Sequence, residues 1–280
     1  MTHRLHPGAA LAALTLAAGL TGCGAAAGSE AAHSSPVPAP LGIGVDGTRF
    51  TGLPATVPPG TRTLTFANTT AAVHMAAIAR LADGHTAADI VPFLASPAGQ
   101  QGPPAWLTLV GGVDEIDPGH RGSWTGALTS GHYALVSFSP DAQGRPEVAD
   151  GMLAPFTVQG ATADATPPAP GATVTLAPGA KLTMTAIPAG TTALRLVNDD
   201  GTPRTVDITA IRPGRTFDDV VHEAQQGHGV PASLIRLGGT GVPAHGSAVA
   251  GMEAATAGTT YVVFDIDHVG EGAIAHETAG

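Results

Sequence analysis

Two stretches of this 280-residue chain repeat one another at a constant offset, and this constrains the fold more than any other feature of the sequence. Asn68, Ile78, Leu81, Gly84, Thr86, Asp89 and Val91 each meet an identical or similar residue 130 positions on, at Asn198, Ile208, Ile211, Gly214, Thr216, Asp219 and Val221. Pro104, Gly111-Gly112 and Gly131 match Pro231, Gly238-Gly239 and Gly258 at a spacing of 127. Ordered agreement over most of a domain's length is the mark of a duplicated structural unit. The chain should therefore contain one fold twice.

Each copy opens with β-type runs, Thr61 to Ala67 and Val73 to Leu81 in the first, Ala193 to Val197 and Arg204 to Ile211 in the second. β-Branched and aromatic residues alternate there with small or polar ones. Thr86 and Thr216 can then cap a helix, with Asp89 and Asp219 three residues on as the acid of a capping box. Further strands follow at Ser123 to Leu128, His132 to Phe138 and Leu153 to Val158, then at Ser247 to Glu253 and Thr260 to Ile266. The predicted class is mainly β, two tandem Greek-key sandwiches with one inserted helix each. The expected domains are residues 41–160 and 172–270, joined by a Pro/Gly-rich linker at 161–171 and followed by a tail at 271–280.

Cys23 is the sole cysteine and ends Leu20-Thr21-Gly22-Cys23, directly after an apolar run too short to span a bilayer. Residues 1–22 resemble a bacterial lipoprotein signal, which implies cleavage before Cys23 and lipidation of its thiol. Residues 23–40 are small, polar and proline-punctuated and should form a disordered tether. The expectation is an exported protein of the cell membrane, lipid-anchored at Cys23 and facing outside the cytoplasm. Such a chain has no structural disulfide, no thiolate nucleophile and no cysteine ligand for a metal. Loss of residues 1–22 removes Arg4 and no acid, leaving 11 basic against 22 acidic residues, a net of −11. Nucleic acid is an unsuitable partner for that charge.

The order of a strand ending in Asn68, then His74, a helix, Gly131-x-Tyr133-x-Leu135, a loop with Gly151-Met152 and a Phe156-x-Val158 strand resembles the cupredoxin-like fold of blue copper proteins. The resemblance implies a histidine ligand at His74 and an axial methionine at Met152. It also places Ser137 where that family has the copper-binding cysteine and Glu147 where it has the second histidine. The thiolate makes the blue-copper bond, and a hydroxyl cannot replace it. In the second copy Arg204 stands at the His74 position and Asp265 at the thiolate position, with no Gly-Met loop or closing strand expected. No cofactor and no metal site is therefore expected, with His74, Glu147 and Met152 kept as residual candidates for copper.

Other patterns point to no chemistry. His222 and His228 stand six apart, not the four that a shared zinc on one helix face needs. No Gly-x-Ser-x-Gly is present. Asp114, Glu115 and Asp117 read as a solvated acidic turn, Gly111-Gly112 and Gly238-Gly239 as strand-end turns, and His120 and His245 as turn residues. Trp106 and Trp124 offer either core or a binding platform, with core favoured for at least one. The sequence thus predicts a non-enzymatic binding or scaffolding module of unknown protein or small-ligand partner, with copper handling as the alternative.

Overall fold

Asn68 and Asn198 end equivalent strands and fasten equivalent corners. In a computed structural model describing residues 37–99, 103–226 and 230–280, both asparagines are 1% exposed. The Asn68 amide donates to the carbonyls of Ala72 (2.7 Å) and Ile116 (2.8 Å), and that of Asn198 to those of Thr202 (2.8 Å) and Val242 (3.2 Å). A buried side-chain amide that satisfies carbonyls from two crossing segments is hard to replace, which accounts for its repetition at the 130 offset.

The first half supplies β1 (Leu41–Asp46), β2 (Arg49–Thr51), β3 (Thr56–Val57), β4 (Gly60–Ala67), β5 (His74–Leu81), β6 (Leu107–Ile116), β7 (Arg121–Leu128), β8 (Gly131–Val136) and β9 (Leu153–Val158). The second supplies β10 (Ala172–Ala177), β11 (Lys181–Met184), β12 (Ala193–Asn198), β13 (Arg204–Ile211), β14 (Leu234–Val242), β15 (Ser247–Gly251), β16 (Thr260–Asp265) and β17 (Ile274–Thr278). One sheet runs β11-β10-β12-β15-β7-β4-β1-β2, the other β17-β16-β13-β14-β6-β5-β8-β9-β3. The order within each half is the same, with β3 as an addition to the first.

The duplication is thus present as two tandem two-layer sandwiches, but they are not beads on a linker. β7 pairs antiparallel with β15, and β6 with β14, so each sheet continues across both halves. Equivalent strands pairing antiparallel with one another make the seam self-complementary, in the manner of a two-fold interface inside one chain. Residues 161–171 form no strand yet are bound to the first half. The 2% exposed Arg62 donates to the carbonyls of Pro58 (2.8 Å), Pro59 (3.0 Å) and Ala163 (2.7 Å), and Ala165 N–H donates to Thr61. Residues 271–280, read as a tail, carry β17, which pairs antiparallel with β16 over five residues and closes the second copy. Its Ile274-Ala-His-Glu-Thr sequence lacks the Phe-x-Val signature and was therefore missed.

Apolar residues of both sheets meet between them, Leu64, Phe66, Ile78, Val113, Trp124 and Met152 in the first half and Val174, Leu196, Val206, Ile208 and Val263 in the second. The second sheet is also covered outside. α1 (Ile90–Leu94) sets Ile90 on Ala79, Leu81 and Val136, while α2 (Phe217–Gln225) sets Val220 on Ile211 and Val262. Burial of both faces explains why β5 and β13 read as nearly continuous apolar runs. Both predicted capping boxes are present, Thr86 N–H and Thr216 N–H each donating to the carboxylate three residues on at 2.7 Å.

Gly111-Gly112 and Gly238-Gly239 are not strand-end turns. They lie inside β6 and β14, next to register shifts against β5 and β13. Gly112 (φ +106°) and Gly239 (φ +157°) bring the chain so close to the neighbouring strand that an added Cβ would stand 2.3 Å from the Ala76 carbonyl oxygen and 1.9 Å from that of Val206. These are bulges that only glycine permits.

Candidate functional site

The loop between β8 and β9 folds back on the start of β5. Ser137 N–H donates to the Met152 carbonyl (3.1 Å), Val148 N–H to that of Ser137 (2.8 Å), and Glu147 N–H to that of Ser139 (3.0 Å). Outside the fold, Arg145 forks between Asp141 (2.8 Å) and Asp150 (2.8 Å), holding the loop's two ends together. The Arg145 backbone N–H first, then the Gln143 backbone N–H and the Arg145 guanidinium, hold the half-buried Asp141 down at about 2. The loop thereby presents Glu147, 8% exposed, to the buried His74.

His74 Nδ1 lies 2.8 Å from Glu147 Oε1 and 2.9 Å from Oε2, and Ser137 Oγ donates to Oε2 at 2.7 Å. Ser137 Oγ in turn accepts the Met75 N–H at 3.4 Å. Two carboxylate oxygens against one ring nitrogen assign the proton to Nδ1. His74 Nε2 is buried and has no hydrogen-bond partner among the described residues. The structure therefore gathers three of the four residues named from the sequence, His74, Glu147 and Ser137. Met152 reaches the same corner through its backbone, donating N–H to the Glu147 carbonyl (3.1 Å), while its side chain is fully buried with the first-half core.

This arrangement does not fit a type 1 copper ion. The nitrogen is turned as an N–H donor to a carboxylate, and the thiolate position holds a hydroxyl already donating to that same carboxylate. Nor is it a serine-hydrolase triad. The carboxylate stands between hydroxyl and imidazole, whereas general-base activation needs the imidazole next to the hydroxyl. Among the described residues no three His, Cys, Asp or Glu side chains are grouped so as to hold a metal ion.

The second half answers the same vacancy in chemistry differently. Arg204, 1% exposed, donates Nε to Asp265 Oδ2 (2.5 Å) and Nη1 to Asp200 Oδ2 (2.5 Å), and its Nη2 also faces Asp265. His268 Nδ1 approaches Asp265 at 3.4 Å from the following turn. Sequence reasoning named Arg204 and Asp265 but missed Asp200. The signal was available, because Asp200 lies 130 residues after Thr70, and each N–H donates to its own copy's asparagine Oδ1.

The acidic residues 114, 115 and 117 are not a solvated turn. They sit at the seam, where Asp117, 6% exposed, takes Arg236 Nη1 (3.0 Å) and Arg212 Nη2 (2.7 Å), and Glu115 lies 3.0 Å from Arg236 Nε. Alternation along β6 could not reveal this, because the burying strand comes from the other copy. Burial pushes the Asp114 carboxyl up to about 6, and pushes that of Asp207 on β13 well above the usual carboxylate range, with Asp114 adding to the shift. His120 Nδ1 crosses the seam to Glu253 (3.1 Å), and His245 occupies a turn at φ +51°. Trp124 is core at 2% exposed, while the half-buried Trp106 stacks on His85 with ring centroids 4.6 Å apart. His222 bonds Gln226 at 2.8 Å; His228 and Cys23 lie outside the described residues. Among the described residues no helix is long and apolar enough to cross a membrane.

No protein-family model and no curated protein sequence matches this chain. Solved structures do resemble it. Dithionite-reduced auracyanin from the photosynthetic bacterium Roseiflexus castenholzii is 26% identical, over 44% of this chain and 99% of that one, with a TM-score of 0.33. A Cu-containing nitrite reductase from Thermus scotoductus is 11% identical over 86% of this chain and 61% of that one (TM-score 0.25). A multicopper oxidase is 12% identical over 85% and 88% (TM-score 0.23). The strand order and the two-layer packing make this molecule a mainly β protein of two joined sandwiches.

Proposed function

We propose that the chain is an exported, lipid-anchored, non-catalytic binding or scaffolding module in which the place of a type 1 copper site has become a hydrogen-bonded part of the core. The observation that carries this reading is the Glu147 carboxylate, which receives both His74 Nδ1 and Ser137 Oγ. A ligand set whose lone pairs and protons already satisfy one another gains little from a metal and must break buried hydrogen bonds to take one. The parallel Arg204–Asp265–Asp200 set supports it, since a guanidinium there supplies permanent positive charge and no lone pair.

Titration with cupric ion should give no intense charge-transfer colour, and calorimetry with cuprous ion no stoichiometric tight binding. The second reading, copper handling, draws on the unpartnered His74 Nε2 and the soft Met152 thioether. Tight cuprous binding that disappears in both His74→Ala and Met152→Ala would replace the first reading with the second.

A further inference from the structure

On the outer side of the second sheet, β13, β16 and α2 surround an apolar cavity of about 440 Å³, within the size range of small-molecule pockets. Its walls include Val230, Pro231, Phe264, Ile266 and Val269. Ile266 and Val269 are 42% and 40% exposed, two of only four large apolar side chains exposed among the described residues. Among the described residues the single ionisable group in the lining is Asp207. Its neighbours Val206 and Ile208 point into the core between the sheets, which directs Asp207 outward. It is only 8% exposed, and its buried Oδ1 has no hydrogen-bond partner among the described residues.

A desolvated carboxyl oxygen without a donor is costly and calls for an explanation. The charges around it do not supply one. The Asp114 carboxyl of β6 shares a hydrogen bond with the Asp207 carboxyl yet leaves its Oδ1 unpartnered, Glu115 is acidic, and Arg236 of β14 is committed to Glu115 and Asp117. α2 contributes Ala224 to the cavity and β16 contributes Phe264. In the turn after β16, Asp267 and Glu271 are exposed and His268 faces Asp265.

We propose that this cavity binds a small organic cation, an ammonium group on a compact hydrocarbon body, with the ammonium at Asp207 and the body against Val230, Phe264, Ile266 and Val269. The surrounding acids and the chain's formal charge of −10 favour a cation and disfavour an anion. Because burial keeps the Asp207 carboxyl protonated to unusually high pH, the incoming ammonium displaces its proton. This goes beyond the reading of the His74 site and does not depend on it.

The test uses the full chain carrying Cys23→Ser and three probes of one shape: cyclohexylmethylammonium, cyclohexylmethanol and cyclohexanecarboxylate. By calorimetry the ammonium should bind at least about tenfold more tightly than the alcohol, with the carboxylate weakest. Its binding should release protons, and its affinity should rise with pH. Asp207→Asn should reduce the ammonium to the level of the alcohol, and Val269→Trp, which fills the cavity, should weaken both. Equal affinity for the three probes, no binding of any, or a preference for the ammonium that survives Asp207→Asn would overturn the proposal. So would ammonium binding untouched by Val269→Trp, the behaviour of adsorption to an acidic surface.

Discussion

Arg204 holds in the second half the place that His74 holds in the first. Each opens the strand after its copy's capping asparagine, and each reaches a buried acid that belongs to the end of the sandwich, Glu147 from the loop before β9 and Asp265 at the end of β16. The acids come from different positions, so the two pairs are separate solutions to the same problem. A polar pocket inside a sandwich must be satisfied from within.

Breaking the second solution should cost more than removing it. Arg204→Leu leaves Asp265, fully buried, without its main partner, and should destabilise the protein by about 3–5 kcal/mol. The double change Arg204→Leu with Asp265→Leu should recover a large part of that loss. Urea denaturation of the three proteins checks this; a double variant no better than the single one would mean the pair's net contribution is itself large.

In the first solution the carboxylate is the hub. Glu147→Ala strands His74 Nδ1 and Ser137 Oγ together and should cost about 2–4 kcal/mol. Ser137→Ala removes one donor from a carboxylate that keeps the imidazole, and should cost about 1 kcal/mol. If the two variants melt alike, Glu147 is not the group on which the corner depends.

The bulge glycines should be among the least replaceable residues. Gly112→Ala and Gly239→Ala would drive a methyl into the carbonyls of Ala76 and Val206, whereas Gly84 and Gly214 have nothing within 4 Å of an added Cβ. Destabilisation above about 3 kcal/mol is expected for the first pair and about 1 kcal/mol, from positive φ alone, for the second. Equal losses in thermal unfolding would remove close approach as the cause.

The anchor prediction concerns residues 20–23. Cys23→Ser should release the mature protein or leave its precursor uncleaved, while the parent partitions into detergent. Equal partitioning of both forms would remove the anchor.

What was legible in the chain followed from local chemistry and from the repeat. Capping boxes, strand periodicity and the helix positions are written within a few residues of where they act, and the 130 offset carried them from one half to the other. The candidate corner was legible as far as its residue types. His74, Glu147 and Ser137 were named from ligand positions, although their mutual hydrogen bonding is a property of the folded loop. The seam was not legible. Glu115 and Asp117 look like any acidic turn until Arg212 and Arg236, about a hundred residues on, arrive beside them. β17 was missed because a strand closing against one neighbour carries only a weak alternation.

The seam also sets the pH response of the fold. Burial first, with the Glu115 charge beside it, keeps Asp114 at about 6, and burial with the Asp114 and Glu115 charges keeps Asp207 well above the usual carboxylate range, against about 3.9 for a free aspartate. The folded chain therefore holds protons that the unfolded chain has already released above about pH 4. Stability from these groups is complete below that point and is lost as pH rises through about 6, opposite in sign to the acid sensitivity of a paired surface carboxylate. Denaturation followed from about pH 4 to about pH 8 should show this decline in the parent protein and a flatter profile in Asp114→Asn, which carries no charge to repel Asp207. Parallel profiles for the two proteins would show that the carboxyls at the seam do not share the burden of a proton, and that the fall in stability, if seen, arises elsewhere.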